Sequence, residues 1–121
     1  MKDSVKKEIE NLIEEYSLDC DIEEFENYIN WKYFSRYETL SEDFIREFQD
    51  KVNWKYISKY QRLSEDFIRE FNNKVESDGI MYYQKISDEL KKEIKNGNIL
   101  PLPIIIDLFP KINRSQLIDL E

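Results

Sequence analysis

Twenty-three residues are spelled almost identically twice in succession. "NWKYFSRYETLSEDFIREFQDKV" at 30–52 lies over "NWKYISKYQRLSEDFIREFNNKV" at 53–75, and 17 of the 23 positions are the same. A fixed period of this length means that one supersecondary unit is used again and again, each copy completing the buried face of its neighbour. An eroded third copy keeps the register: "YYQKISDELKKEI" at 82–94 lies over "KYQRLSEDFIREF" at 59–71, with Leu90 and Ile94 replacing Phe67 and Phe71. Upstream, Ile22, Phe25 and Ile29 take the places of Ile45, Phe48 and Val52, so the chain holds roughly three and a half units.

The pattern inside one unit is helical. After Ser41 the apolar residues Phe44, Ile45, Phe48 and Val52 fall at helical angles of about 0°, 100°, 40° and 80°, a single buried arc. Ser41, Ser64 and Ser87 each precede two acidic residues, the arrangement in which an N-cap hydroxyl and first-turn carboxylates satisfy the orphan N–H groups of a helix start. On the solvent side Glu42 can reach Arg46 and Glu47 can reach Lys51, and Glu65–Arg69 and Glu70–Lys74 repeat this spacing. "NWKYFSRY" opens on a capping Asn30 and sets Trp31 and Phe34 three apart, which predicts a helix of about two turns. A strand is disfavoured there because strict alternation is missing. A short helix, a brief connection and a longer helix make an αα-hairpin per unit. The expected fold class is therefore all-α, a small helical-repeat domain whose units dock face to face.

One domain over 1–121 is expected at this length. Its parts are an acidic N-terminal cap and partial repeat at 1–29, repeat 1 at 30–52, repeat 2 at 53–75, a degenerate repeat 3 at 76–98 and a C-terminal cap at 99–121. Residues 4–17 read as an amphipathic helix with Val5, Ile9, Leu12, Ile13 and Tyr16 on one side. "NGN" at 96–98 should stop the third long helix at Gly97, the residue that enters the left-handed region at least cost. Beyond it, Pro101 and Pro103 impose an extended segment, after which "IIIDLF" is compatible with either a helical turn or a short strand.

Charge is segregated. Residues 1–29 carry three lysines against ten Asp and Glu, residues 30–75 nine bases against eight acids, and residues 76–121 six against eight, for a formal total of −8. Such a surface is a poor match for nucleic acid, whose affinity comes from Lys and Arg displacing counterions, and a better match for a basic protein surface. An acidic helix face can also serve solubility alone. Cys20 is the single cysteine, so no disulfide closes within the chain, and it reads as a small half-buried hydrophobe. The N-terminus lacks the uninterrupted apolar core of a secretory signal, and "ILPLPIIIDLF" is too short and too broken to span a bilayer. Together these predict a soluble protein of the cytoplasm, with no membrane partner.

Catalytic groups are scarce. The absence of histidine excludes Ser-His triads, His-based acid–base pairs and the usual zinc sites, and two glycines, Gly79 and Gly97, cannot build a phosphate-binding loop or a dinucleotide fingerprint. "DCDIEE" at 19–24 has the early acidic spacing of a calcium loop, yet the turn glycine is missing and position 12 is Asn30. "DEL" followed by Lys91 and Lys92 has the look of a nuclease's carboxylate–lysine pairing, but its place in the repeat explains it as an acidic cap before a basic face. No catalytic residue, cofactor or metal is expected.

The unit W-x-x-[IF]-S-x-x-x-x-L-S-E-D-F-I-R-E-F resembles a tandem repeat of uncharacterised proteins of large DNA viruses and bacteriophages. The resemblance covers 30–75 well and 82–94 in part. It implies descent on a mobile element and carries no catalytic activity with it. Aromatic residues complete the picture: Tyr37, Tyr60 and Tyr83 recur at one repeat position, and Trp31 and Trp54 at another. In a helical repeat such residues are more often core than contact, but Tyr and Trp are also the common anchors of interfaces. Tyr82 and Tyr83, beside Met81, are the better placed for an exposed contact.

Two functions follow. The first is a non-enzymatic inhibitor of a host defence or nucleic-acid-processing protein, holding a basic surface through Glu14, Glu15, Asp19, Asp21, Glu23, Glu24 and Glu26, with Tyr37, Tyr60, Tyr82 and Tyr83 as further contacts. The second is a scaffold whose repeats mediate self-association. A catalyst built from carboxylates, lysine and tyrosine alone is the weakest alternative.

Overall fold

A computed structural model of the chain describes residues 1–96. The expected stop at Gly97 and the C-terminal cap at 99–121 lie outside the described residues. Among those described, seven α-helices and one 3-10 turn follow in order, with no strand: α1 (Asp3–Glu15), the turn Phe25–Asn27, α2 (Trp31–Tyr37), α3 (Glu42–Glu47), α4 (Trp54–Tyr60), α5 (Glu65–Glu70), α6 (Ser77–Tyr83) and α7 (Asp88–Lys95). The described residues are all-α, as the periodicity predicts. No described helix is long and apolar enough to cross a membrane. The chain divides into two compact units, Met1–Gln61 and Arg62–Glu121, with the division inside the second copy of the repeat.

The caps are local and match the sequence. Ser41, Ser64 and Ser87 accept the N–H groups of Phe44, Phe67 and Leu90, and Asn30 and Asn53 accept those of Tyr33 and Tyr56. Each bond satisfies one of the orphan donors of a helix start. At the third equivalent place the residue is Glu76, and α6 begins without a side-chain cap.

One expectation needs correcting: in the first two units the second helix is not the longer one, whereas in the third α7, at eight residues, exceeds α6, at seven. α3 and α5 are six residues each, because Phe48 and Phe71 already leave the helical region, with φ near −110° and ψ near 34°. The chain continues in turns, closed by the N–H groups of Lys51 and Val52 on the carbonyl of Phe48 at 2.8 and 3.1 Å. The carbonyl of Gln49 is taken by the indole N–H of Trp54 at 2.9 Å. These turns keep Phe48 and Val52 in the core, so the apolar arc survives while the helix does not. The spacing expected to pair Glu47 with Lys51 has no helix to support it. Arg46 meets Asp43 at 2.8 Å, and the expected Glu65–Arg69 pair forms at 3.6 Å.

In the first unit α2 packs on α4 and α1 on α3. Phe25 is fully buried, with Trp31, Phe34 and Phe44 edge-on at 6.1–6.3 Å and Phe48 at 6.1 Å. Val5, Ile9 and Leu12 close this core from α1. Polar clasps fix the elements in register. Buried Gln61 accepts the N–H of Leu40 at 3.0 Å and donates to the carbonyls of Ser35 and Glu38 at 3.0 and 2.6 Å. The Ser35 hydroxyl, also buried, accepts the N–H of Asn53 at 2.9 Å. Glu8 receives both the N–H and the hydroxyl of Ser41, at 3.1 and 2.6 Å.

The second unit uses the same devices. Gln84 accepts the N–H of Leu63 at 3.2 Å. Glu65 receives the N–H and hydroxyl of Ser87 at 2.6 and 2.9 Å. Its core holds Phe67 and Phe71 with ring centroids 4.6 Å apart, together with Ile68, Ile80, Leu90 and Ile94.

Candidate functional site

Two surfaces of the first unit carry the residues singled out by the sequence. The acidic one begins where α1 ends. Ser17 adopts φ 52°, the left-handed conformation that closes a helix, and the N–H of Leu18 reaches back to the carbonyl of Ile13 at 2.9 Å. Glu14 and Glu15 lie in this last turn, which contains no basic residue, against the preference of the helix dipole for cations there. The chain then runs through bends and turns. Asp21 accepts the N–H of Glu24 at 3.0 Å, so the acidic spacing that resembled a calcium loop is used to close a turn. Phe25 anchors the segment from below, and the indole N–H of Trp31 holds the carbonyl of Glu26 at 3.0 Å.

Tied down in this way, Glu14, Glu15, Asp19, Asp21, Glu23 and Glu24 are exposed and Glu26 is half-buried. Among the described residues no lysine or arginine forms an ion pair with any of them. Partial burial and then the charges of Glu24, Asp21 and Asp19 push the Cys20 thiol up. It stays protonated, which suits a packing residue better than a nucleophile. Nearby, the Tyr16 hydroxyl donates to Glu38, whose carboxyl is raised by burial first and by Glu15 second.

The second surface is aromatic and cationic. Tyr37 and Tyr60 are exposed and both meet Arg36, whose guanidinium lies 5.0 Å from the Tyr37 ring centre and 4.5 Å from that of Tyr60. The guanidinium also donates to the Tyr60 hydroxyl at 3.0 Å and lies 5.7 Å from the Tyr56 ring. Tyr33 rests against Tyr37 at 4.9 Å, and Lys32 approaches Tyr56 at 5.8 Å. Asn30, Lys32, Tyr33, Arg36, Tyr37 and Tyr56 line an open cleft of about 280 Å³. It presents π faces, phenol hydroxyls and two cations.

Tyr82 and Tyr83 end α6 in the second unit and are exposed as expected, Tyr82 most of all at 82%. Trp31 and Trp54 are half-buried, each with its N–H on a carbonyl five residues earlier. Sequence reasoning missed Arg36, Lys32, Tyr33 and Tyr56. The signal was present: "WKYFSRY" and "WKYISKY" each hold two bases and no acid, with tyrosines four apart. No protein family, curated protein or solved structure matches this chain.

Proposed function

We propose that this chain is a non-enzymatic protein-binding protein, encoded by a phage or related mobile element, that inhibits a host defence or nucleic-acid-processing protein by occupying its basic surface. One observation carries the reading: six exposed carboxylates between Glu14 and Glu24 with no cation paired to them among the described residues. Like charges held together on a fixed backbone repel, and a cationic partner relieves that repulsion while gaining speed of encounter from the field. A surface that binds nucleic acid is cationic for the same reason and would meet this segment first.

The test begins with capture of a host protein on the immobilised chain at low and at high salt. Acid-to-base contacts weaken as screening increases, so capture should fall steeply with salt. The captured protein, once purified, should lose nucleic-acid binding as the chain is titrated in. Reversing Glu14, Glu15, Glu23 and Glu24 to lysine should abolish both effects. Inhibition that survives the reversal removes the electrostatic mechanism.

A further inference from the structure

We infer that the α2/α4 face is a docking surface for the acidic segment of a second copy of this chain. α2 and α4 pack side by side and contain four bases, Lys32, Arg36, Lys55 and Lys59, with no acid. In a chain of net charge −8 this is a concentration of the opposite sign. Lys32 and Lys55 are exposed, and among the described residues no carboxylate forms an ion pair with Lys32, Arg36 or Lys55.

The face is also prepared for contact. Arg36 is held among the rings of Tyr37, Tyr56 and Tyr60 and by the Tyr60 hydroxyl, so ordering it on binding loses little rotamer freedom. Tyr33 and Tyr37, 46% and 62% exposed, offer rigid apolar area with a polar tip. The cleft between them is open and has cations at Lys32 and Arg36.

Charge complementarity names the occupant. The segment 14–24 is exposed, fixed at both ends and acidic, and its carboxylates find no lysine or arginine among the described residues of their own molecule. Two unmatched and opposite surfaces on one unit can be matched by another copy. Because the two patches differ, the contact is heterologous and propagates into a ring or an open chain of molecules. An aromatic, basic face is also the usual platform for single-stranded nucleic acid, but here a polyphosphate would have to approach a unit that carries the chain's most acidic stretch. This inference does not depend on a host partner and is tested on the purified chain alone.

Sedimentation velocity on the full chain over a hundredfold range of concentration should show association that recedes at least tenfold in apparent affinity when salt is raised from low to about 0.5 M. Two reversed variants decide the matter: Lys32→Glu with Lys55→Glu, and Glu14→Lys with Glu15→Lys, Glu23→Lys and Glu24→Lys. Each alone should be monomeric with an unchanged helical spectrum. Mixed in equal amounts they should associate again, because the intact acidic segment of the first variant then meets the intact basic face of the second. A parent chain that is monomeric throughout, a mixture that stays monomeric, association indifferent to salt, or a monomer whose α2/α4 face binds an oligothymidylate would each overturn the assignment.

Discussion

The side-chain amide of Gln61 holds the backbone of Leu40, twenty-one residues earlier in the chain, through an N–H···O bond of 3.0 Å in the buried interior. The same amide donates to the carbonyls of Ser35 and Glu38. A loop that returns its backbone to the core must find partners for every polar group, and here one side chain supplies three of them.

Replacing Gln61 with alanine should therefore strand the Leu40 N–H and two carbonyls. Each buried unsatisfied group costs ~1–3 kcal/mol, and water entering the gap recovers part of it, so a net loss of about 2–3 kcal/mol is expected in urea denaturation. Gln61→Glu should be worse, since a carboxylate oxygen would replace the donor facing the Ser35 and Glu38 carbonyls. Equal stability of the two variants would contradict the clasp.

Phe25 is the centre of the first core, fully buried with four aromatic neighbours. Phe25→Ala removes a large side chain from a site that cannot collapse around rigid rings. A loss of about 3–5 kcal/mol follows, most of the stability of a small domain. The same holds for Phe48, which the repeat pattern alone marks as core. Calorimetry should show the cooperative transition broadened or absent.

Glu65 is held below the usual glutamate range, chiefly by the N–H and hydroxyl of Ser87 and then by Arg69. A depressed folded pKa means stability that is present above the unfolded value, about 4.3, and is lost as pH falls through the folded one. Glu65→Gln should be less stable than the parent at neutral pH, and the gap should close on acidification below about pH 4. Denaturation curves at the two pH values, followed by far-UV circular dichroism, give the comparison.

Glu38 behaves in the opposite sense. Burial and the neighbouring Glu15 raise its pKa, so the folded state takes up a proton first and the carboxylate costs stability above its folded pKa. The equivalent positions one and two repeats later are Gln61 and Gln84. Glu38→Gln keeps an acceptor for the Tyr16 hydroxyl and should stabilise the protein at neutral pH by roughly 0.5 kcal/mol, partial exposure screening most of the charge cost. That advantage should shrink as the medium is acidified. A variant less stable than the parent at pH 7 would show that the charge itself is needed.

What was legible in the sequence was local. An asparagine or serine before a helix needs only a backbone N–H three residues on, so the caps at Asn30, Ser41, Asn53, Ser64 and Ser87 could be read directly. Burial of Phe44, Ile45, Phe48 and Val52 followed from angles alone. The length of α3 was misjudged because turns after Phe48 preserve the same apolar arc as a helix. The Gln61 clasp and the gathering of Tyr37, Tyr56 and Tyr60 around Arg36 depend on α2 meeting α4. Spacing within a repeat cannot supply that contact. The exposure of Tyr37 and Tyr60 has the same origin: residues that look like core in a helical wheel are on the outer side of a helix pair.

Trp31 and Trp54 sit at matching places, both half-buried, both bonded to a carbonyl, and both within Met1–Gln61. Arg62–Glu121 contains no tryptophan at all. Indole emission is thus a private gauge of the first unit, read by two near-identical dyes, whereas the far-ultraviolet signal sums over both. Heating curves from the two optical channels would superimpose only where the halves melt together, and their separation in temperature would measure how independently each half holds itself.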